Sequence, residues 1–181
     1  MVSRTRRDII RAFDDLINRK PFDEISVEDI LKKSGVSRST FYRYFRDKWD
    51  VMNTHYKDIV DNTLDEQECR NFYDLFYHLI YEGELFLRSV KGIFSSGGQN
   101  SFTDFLYRYS FEKGEEIIKA SRGGRGYTPV ESVQMDFFCT GMSNFVNSWF
   151  AGKYSISIQE ATDALFEMFP LSLRNEWPEQ Q

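Results

Sequence analysis

Between residues 38 and 48 the chain gathers side chains that donate and accept hydrogen bonds: Arg38, Ser39, Thr40, Tyr42, Arg43, Tyr44 and Lys48. At 100° per residue, Ser39 and Arg43 fall on one side of a helix with Thr40 and Tyr42 flanking them, while Phe41 and Phe45 share the other side. A helix fits the major groove of B-DNA, where arginine can donate two bonds to guanine and serine or threonine can meet several base edges. Hydroxyls, amide N–H groups at helix starts and the Lys48 ammonium suit phosphate oxygens. A solvated helix face has the same composition, and short helix pairs around a glycine occur in many proteins, so the pattern alone leaves both readings open.

Other chemistry is poorly represented. His55, His78, Cys69 and Cys139 are metal-ligand types, but they show no C-x-x-C or H-x-x-x-H pairing, so no metal site is expected. No nucleophile elbow or metal-hydrolase motif occurs, and the glycine-rich stretches at 95–98 and 122–126 lack the strand-to-helix setting of a phosphate loop. Neither an enzyme activity nor a cofactor is expected.

The elements that must position residues 38–48 can be read from caps and periodicity. Every long periodic segment has helical spacing, which predicts an all-α protein. A first helix is predicted to begin after Thr5, capped by its hydroxyl with Asp8 reaching back, and to stop near Lys20, before Pro21. Its apolar stripe is Ile9, Ala12, Phe13, Leu16 and Ile17. Ser26 caps a second helix with Asp29 at its third position, and Gly35 ends it in a left-handed turn. Ser37 caps a third through Phe45, and Asp47 a fourth from Lys48 to about Leu64. Residues 26–45 then have the layout of a helix-turn-helix. Further helices are predicted at about 70–90, 102–120, 129–151 and 158–169, with a short one near 91–95. Between them lie a polar link at 66–71, loops at 95–101 and 121–129, and a turn at 152–157.

Charge divides the same way. The 181 residues carry 23 basic and 28 acidic side chains, a net charge of −5, which taken whole argues against a nucleic-acid partner. Residues 1–50 alone hold 12 basic and 9 acidic groups, and the remainder 11 and 19. A +3 head, with Arg4, Arg6, Arg7 and Arg11 beside the first helix, precedes a −8 body. No apolar run reaches the roughly 18 residues a membrane span needs, and no secretion signal is evident. Two cysteines argue against a disulfide framework and fit a reducing cytoplasm.

The segments IIRAFDDLI, KPFDEISVEDI, SGVSRSTFY and YRYFRDKWDV resemble, without interruption, the DNA-binding domain of the TetR family of transcriptional regulators. The resemblance implies a helix-turn-helix domain over 1–47 and a helical effector-binding and dimerisation domain over 48–181. By position it implies phosphate contacts from Ser26, Tyr42, Tyr44 and Lys48, and base or groove contacts from Arg38, Ser39, Thr40 and Arg43. It also implies a double-stranded, palindromic DNA operator read by a homodimer whose recognition helices lie about 34–36 Å apart. Pro21 stands where many members have glycine, Ser34 where many have alanine, and Trp49 where an acidic residue is common.

Residues 137–169 resemble a subgroup that includes activators of dihydroxyacetone-kinase operons, which implies control by a protein partner as an alternative to a small effector. Met135, Phe138, Met142, Phe145, Leu165 and Phe169 recur at three- and four-residue steps and are expected to form a dimer interface, an intrachain core being the competing use. Tyr77, His78, Tyr109, Asn144 and Trp149 combine apolar bodies with polar handles and are candidates for an effector pocket. Most other aromatics of the body are expected to pack its core.

Overall fold

A computed structural model describes residues 4–65, 69–89 and 99–178, with the side chains of 63, 65, 84–89 and 99–101 left aside. Among the described residues the regular structure is helical throughout. The helices are α1 (Arg4–Ile17), α2 (Val27–Ser34), α3 (Arg38–Tyr44), α4 (Lys48–Asp65), α5 (Phe72–Ser89), α6 (Gln99–Ser121), α7 (Pro129–Phe150) and α8 (Ile158–Met168), with a 3₁₀ turn at Phe22–Glu24.

The head forms where local signals agree. Ser26 accepts from the Asp29 amide while the Asp29 carboxylate accepts from the Ser26 amide, closing both ends of a capping box on α2. Gly35 then turns the chain at φ 70°, and its amide reaches the Leu31 carbonyl. Ser37 accepts from the Thr40 amide to start α3, and Asp47 accepts from the Asp50 amide to start α4. The predicted cap at Thr5 is corrected, since α1 already includes Arg4 and Thr5 sits inside its first turn. That helix also ends at Ile17, three residues short of Lys20, in a looser turn closed by the Lys20 amide on the Leu16 carbonyl.

The body helices run close to expectation. Helix α6, expected from 102, already includes Gln99 of the predicted 95–101 loop; the rest of that loop before 99 and the predicted helix near 91–95 lie outside the described residues. Thr128 with Glu131 and Ser157 with Glu160 close two further capping boxes, on α7 and α8.

Two continuous cores hold these elements. The first joins the head to the body: Ile9, Phe13, Phe22, Ile30 and Phe41 pack with Val51 and Met52 of α4 and reach Phe102 and Leu106 of α6. Trp49 belongs to the head side, its ring 4.4 Å from that of Phe22. The second gathers Phe72 and Leu75 of α5, Ile118 of α6, Met135 and Cys139 of α7, Leu165 of α8, and Phe169 and Leu173 beyond it. Removing a phenylalanine ring from such a place costs about 3–5 kcal/mol. The chain after α8 is fastened by Arg122, whose guanidinium grips both carboxylate oxygens of Glu131 and one of Glu176, and by Trp177 set edge-on to Phe72.

The residues expected at a dimer interface divide between the chain's own core and a groove on its surface. Met135, Phe138, Leu165 and Phe169 are buried within their own chain, and Met142 and Phe145 are half-buried against the same core. The periodicity of α7 and α8 is as read, but the exposed apolar positions lie a step around each helix. Phe137 is 77% exposed, Met168 77%, Leu171 76% and Val133 57%. They rim a groove of about 660 Å³ between α7 and α8, whose floor includes Phe138, Met142, Phe145, Leu165 and Phe169; Met135 faces away from it.

Candidate nucleic-acid interface and body cavity

The short α3 is pinned by Phe41 and Phe45, both buried in the core of the head. This pinning turns Arg38, Ser39, Tyr42 and Arg43 outward, with Thr40 and Tyr44 half-buried at their flanks. The hydroxyls at the N-terminal end are already ordered: Ser37 donates to Thr40 Oγ1 at 2.9 Å and lies 3.2 Å from Ser39 Oγ. Thr40 therefore accepts inside the protein and keeps its own proton for an outside acceptor. Tyr42 stands edge-on to Phe41, which holds its ring away from the core. The Arg43 guanidinium lies 5.8 Å from the centre of the Tyr44 ring.

Three basic groups counted toward the interface already have partners within the chain. The Lys48 ammonium donates to the carbonyls of Phe22, Asp23 and Ile25 at 2.9, 3.2 and 2.8 Å and sits over the Phe22 ring. All three of its protons are used, and burial depresses its pKa. Arg6 makes a two-pronged bond to Asp58 of α4. Arg38 pairs with Glu28 of α2 at the surface. Ser26 is exposed, but its hydroxyl donates to Asp29 at 2.7 Å. Hydrogen bonds from Lys20 and Ser26 hold the Asp29 carboxyl well below the usual carboxylate range. The six residues from Arg38 to Tyr44 other than Phe41 thus form one surface, and Ser26 and Lys48 stand apart from it.

The body contains a cavity of about 80 Å³ enclosed by α4, α5, α6, α7 and α8. Of the five residues expected to line a pocket, only Tyr109 does so. Tyr77 faces outward on α5, stacked on Tyr81, and His78 is half-buried outside the cavity wall. Asn144 is exposed and donates to the Thr140 carbonyl, while Trp149 is buried with its indole N–H on the Ile156 carbonyl. Ser110, Lys113 and Cys139 also line the cavity, and nothing in the sequence marks which face of α6 or α7 turns inward. Cys139 is fully buried, and its thiol is pushed up to about 12 by desolvation, so it is a packing group and not a thiolate. Among the described residues no three His, Cys, Asp or Glu side chains are placed to hold a metal ion.

Tyr109 connects this cavity to α4. Its hydroxyl donates to Asp61 at 2.6 Å, and Asp61 also receives Lys57 and Lys113. Burial opposes the Asp61 charge, but the hydrogen bonds from Lys57, Tyr109 and Lys113 outweigh it and keep the carboxyl below its ordinary range.

Residues 9–53, which span α1 through the start of α4, match the family model described as bacterial regulatory proteins, tetR family. Over that segment the chain is similar to the tetR family. Curated relatives match over part of the chain. The HTH-type dhaKLM operon transcriptional activator DhaS of Lactococcus lactis is 24% identical over 90 residues, 48% of each chain. The regulator YvdT of Bacillus subtilis is 34% identical over 62 residues, 34% of this chain and 32% of its own. EthR of Mycobacterium tuberculosis is 38% identical over 53 residues, 29% and 24% of the two chains. The chain thus spans about half the length of the first of these relatives and less of the others. The fold likeness extends further: a solved structure of a dihydroxyacetone kinase operon activator DhaS covers 97% of this chain and 99% of its own, with a TM-score of 0.63 at 14% identity. No helix among the described residues is long and apolar enough to cross a membrane.

Proposed function

We propose that this chain is a cytoplasmic, DNA-binding transcriptional regulator of the tetR family that reads a palindromic operator as a homodimer and is controlled by a small molecule in the body cavity. The observation that carries the reading is α3: Phe41 and Phe45 anchor it while Arg38, Ser39, Thr40, Tyr42, Arg43 and Tyr44 are offered together to a groove. Residues 1–47 serve as the DNA-binding unit and 48–181 as the effector and dimer unit. The apolar groove between α7 and α8 supplies the surface for pairing with a second copy. Ser26 and Lys48 act by shaping the head, which places their phosphate contacts below those of α3 in importance.

Selection of bound DNA from a random pool tests this. An inverted repeat should be enriched, and Arg43→Ala and Tyr42→Ala should each weaken its binding. With roughly 6–10 phosphates neutralised per dimer, affinity should fall by about 10³–10⁵ between 50 and 200 mM salt. No enrichment, or a flat salt response, overturns the reading.

The −8 charge of residues 51–181 favours one alternative, control by a protein partner docked on the body. In that case operator binding would respond to the partner and to no small molecule.

A further inference from the structure

The cavity is chemically lopsided. Its walls from α5 and α8 offer only hydrocarbon and aromatic rings, among them Leu75, Phe76, Leu79 and Leu165, and α7 adds the sulfurs of Met135, Cys139 and Met142. Polar side chains come chiefly from α6, as Tyr109, Ser110 and Lys113. A polyol would leave most of its hydroxyls facing hydrocarbon, buried and without partners. The space is about 80 Å³, roughly half of the ~150 Å³ at which an apolar cavity takes up benzene. Met135 and Met142 have unbranched, adaptable side chains that can yield to a guest of that size.

Among the described residues that line the cavity, Lys113 carries the only charge, and that charge is answered. Its ammonium bridges Asp61 at 3.2 Å and Glu116 at 2.7 Å, while Asp61 also takes Lys57. Burial works against the Lys113 charge, but the bonds to Glu116 and Asp61 outweigh it and raise its pKa. The Tyr109 proton is committed as well, on Asp61. Two ammoniums thus stand against two carboxylates. A carboxylate or ammonium carried in by a ligand would leave water without gaining a free counterion.

We propose that the cavity binds a compact, uncharged, apolar molecule, and that the balance of Lys57 and Lys113 against Asp61 and Glu116 keeps ions out. The guest lies among Phe76, Leu79, Phe138 and the two methionines. The inference rests on the cavity being the effector site, and it narrows what that effector is.

The test uses the full chain without DNA, labelled with carbon-13 at its methionine methyls, and five probes: benzene, benzoate, benzylammonium, inositol and naphthalene. Met135 lines the cavity and not the groove between α7 and α8, and Met168 lines that groove and not the cavity, so the two methyl signals tell where a ring lies. Benzene should bind saturably, moving the Met135 methyl by its ring current and leaving Met168 in place. It should bind roughly tenfold or more tightly than benzoate, benzylammonium or inositol, and naphthalene should be the weaker of the two hydrocarbons. Asp61→Asn leaves two ammoniums facing one carboxylate, so it should strengthen benzoate about fivefold and change benzene less. The ranking of probes in the parent protein decides the proposal without that variant. Absence of saturable benzene binding, a shift at Met168 without one at Met135, an ion or inositol bound as tightly as benzene, tighter binding of naphthalene, or an unchanged benzoate affinity in folded Asp61→Asn each overturns the proposal. Benzene binding at Met135 that leaves operator affinity unaltered supports the chemistry of the site and defeats only its role as the effector site. An ion that binds beside Met135 more tightly and releases the operator preserves that role and overturns the proposed class.

Discussion

Each ammonium proton of Lys48 has a backbone carbonyl to meet, on a turn more than twenty residues away in sequence. Lys48→Met keeps much of the stem and loses those bonds, so it should destabilise the chain by about 1.5–3 kcal/mol, the range for hydrogen bonds to charged groups. Urea unfolding measures the loss; unchanged stability with a shallower salt dependence of DNA binding would instead mean that the ammonium serves phosphates. Glu131 offers a pH test. Hydrogen bonding to Arg122, opposed by burial and helped by Thr128, lowers its pKa from 4.5 to about 2. A depressed carboxyl contributes stability that is full above the unfolded value and is lost as pH falls through the folded one. The acid limb between about pH 4.5 and 2 should therefore flatten in Glu131→Gln, as followed by circular dichroism across that window.

Among the elements, the head is the part that short-range chemistry specifies. Gly35 sits at φ 70°, so Gly35→Ala should cost about 1 kcal/mol in thermal or urea unfolding, as should Ser157→Ala through loss of the α8 cap. Caps, the glycine turn and the Phe41–Phe45 spacing all lie within a few residues of what they determine, which is why α2, α3 and the start of α4 were legible in the sequence. The missed 3₁₀ turn after Pro21 and the earlier end of α1 depend on Phe22 finding a place under Trp49, a contact made across the head. In the body the helices were legible and their rotation was not. Helix α7 packs against α5 and α6 while also carrying exposed Phe137, so apolar residues occur around most of its circumference and no polar face marks the outside. Hence the spacing of Met135 and Phe138 does not separate interface from core, and both are buried within their own chain. By the same ambiguity nothing in the sequence tells that the inward face of α5 bears Phe76, Leu79 and Ile80 in place of Tyr77 and His78.

At the scale of the whole molecule, the groove between α7 and α8 separates two roles that the sequence merges. Phe137→Asp places a charge on its exposed rim and should shift a dimer toward monomer by light scattering while the helical content holds. Phe138→Asp buries the charge in the chain's own core and should lower the melting temperature sharply. A monomer in the parent protein at micromolar concentration would sink the pairing proposed for this groove.

Helix α4 is fastened along its length, and the placing of those fastenings has a mechanical consequence. Lys48 and Trp49 clamp its start to the 3₁₀ turn, His55 meets Asp14 of α1 at 3.3 Å, and Asp58 holds Arg6. Toward the body, Tyr56 of the same helix packs edge-on to Phe102 and Phe105 of α6, and Asp61 adds the polar tie through Tyr109 and Lys113. The polar fastenings before Asp58 all go to the head and those at Asp61 to the body, so the first three turns of α4 should follow the head, with the Tyr56 ring sliding on α6. Spin labels on α1 and on α4 before Asp58 should keep their separation in any movement of the head relative to the body. A pair placed across Asp61 should register the whole movement.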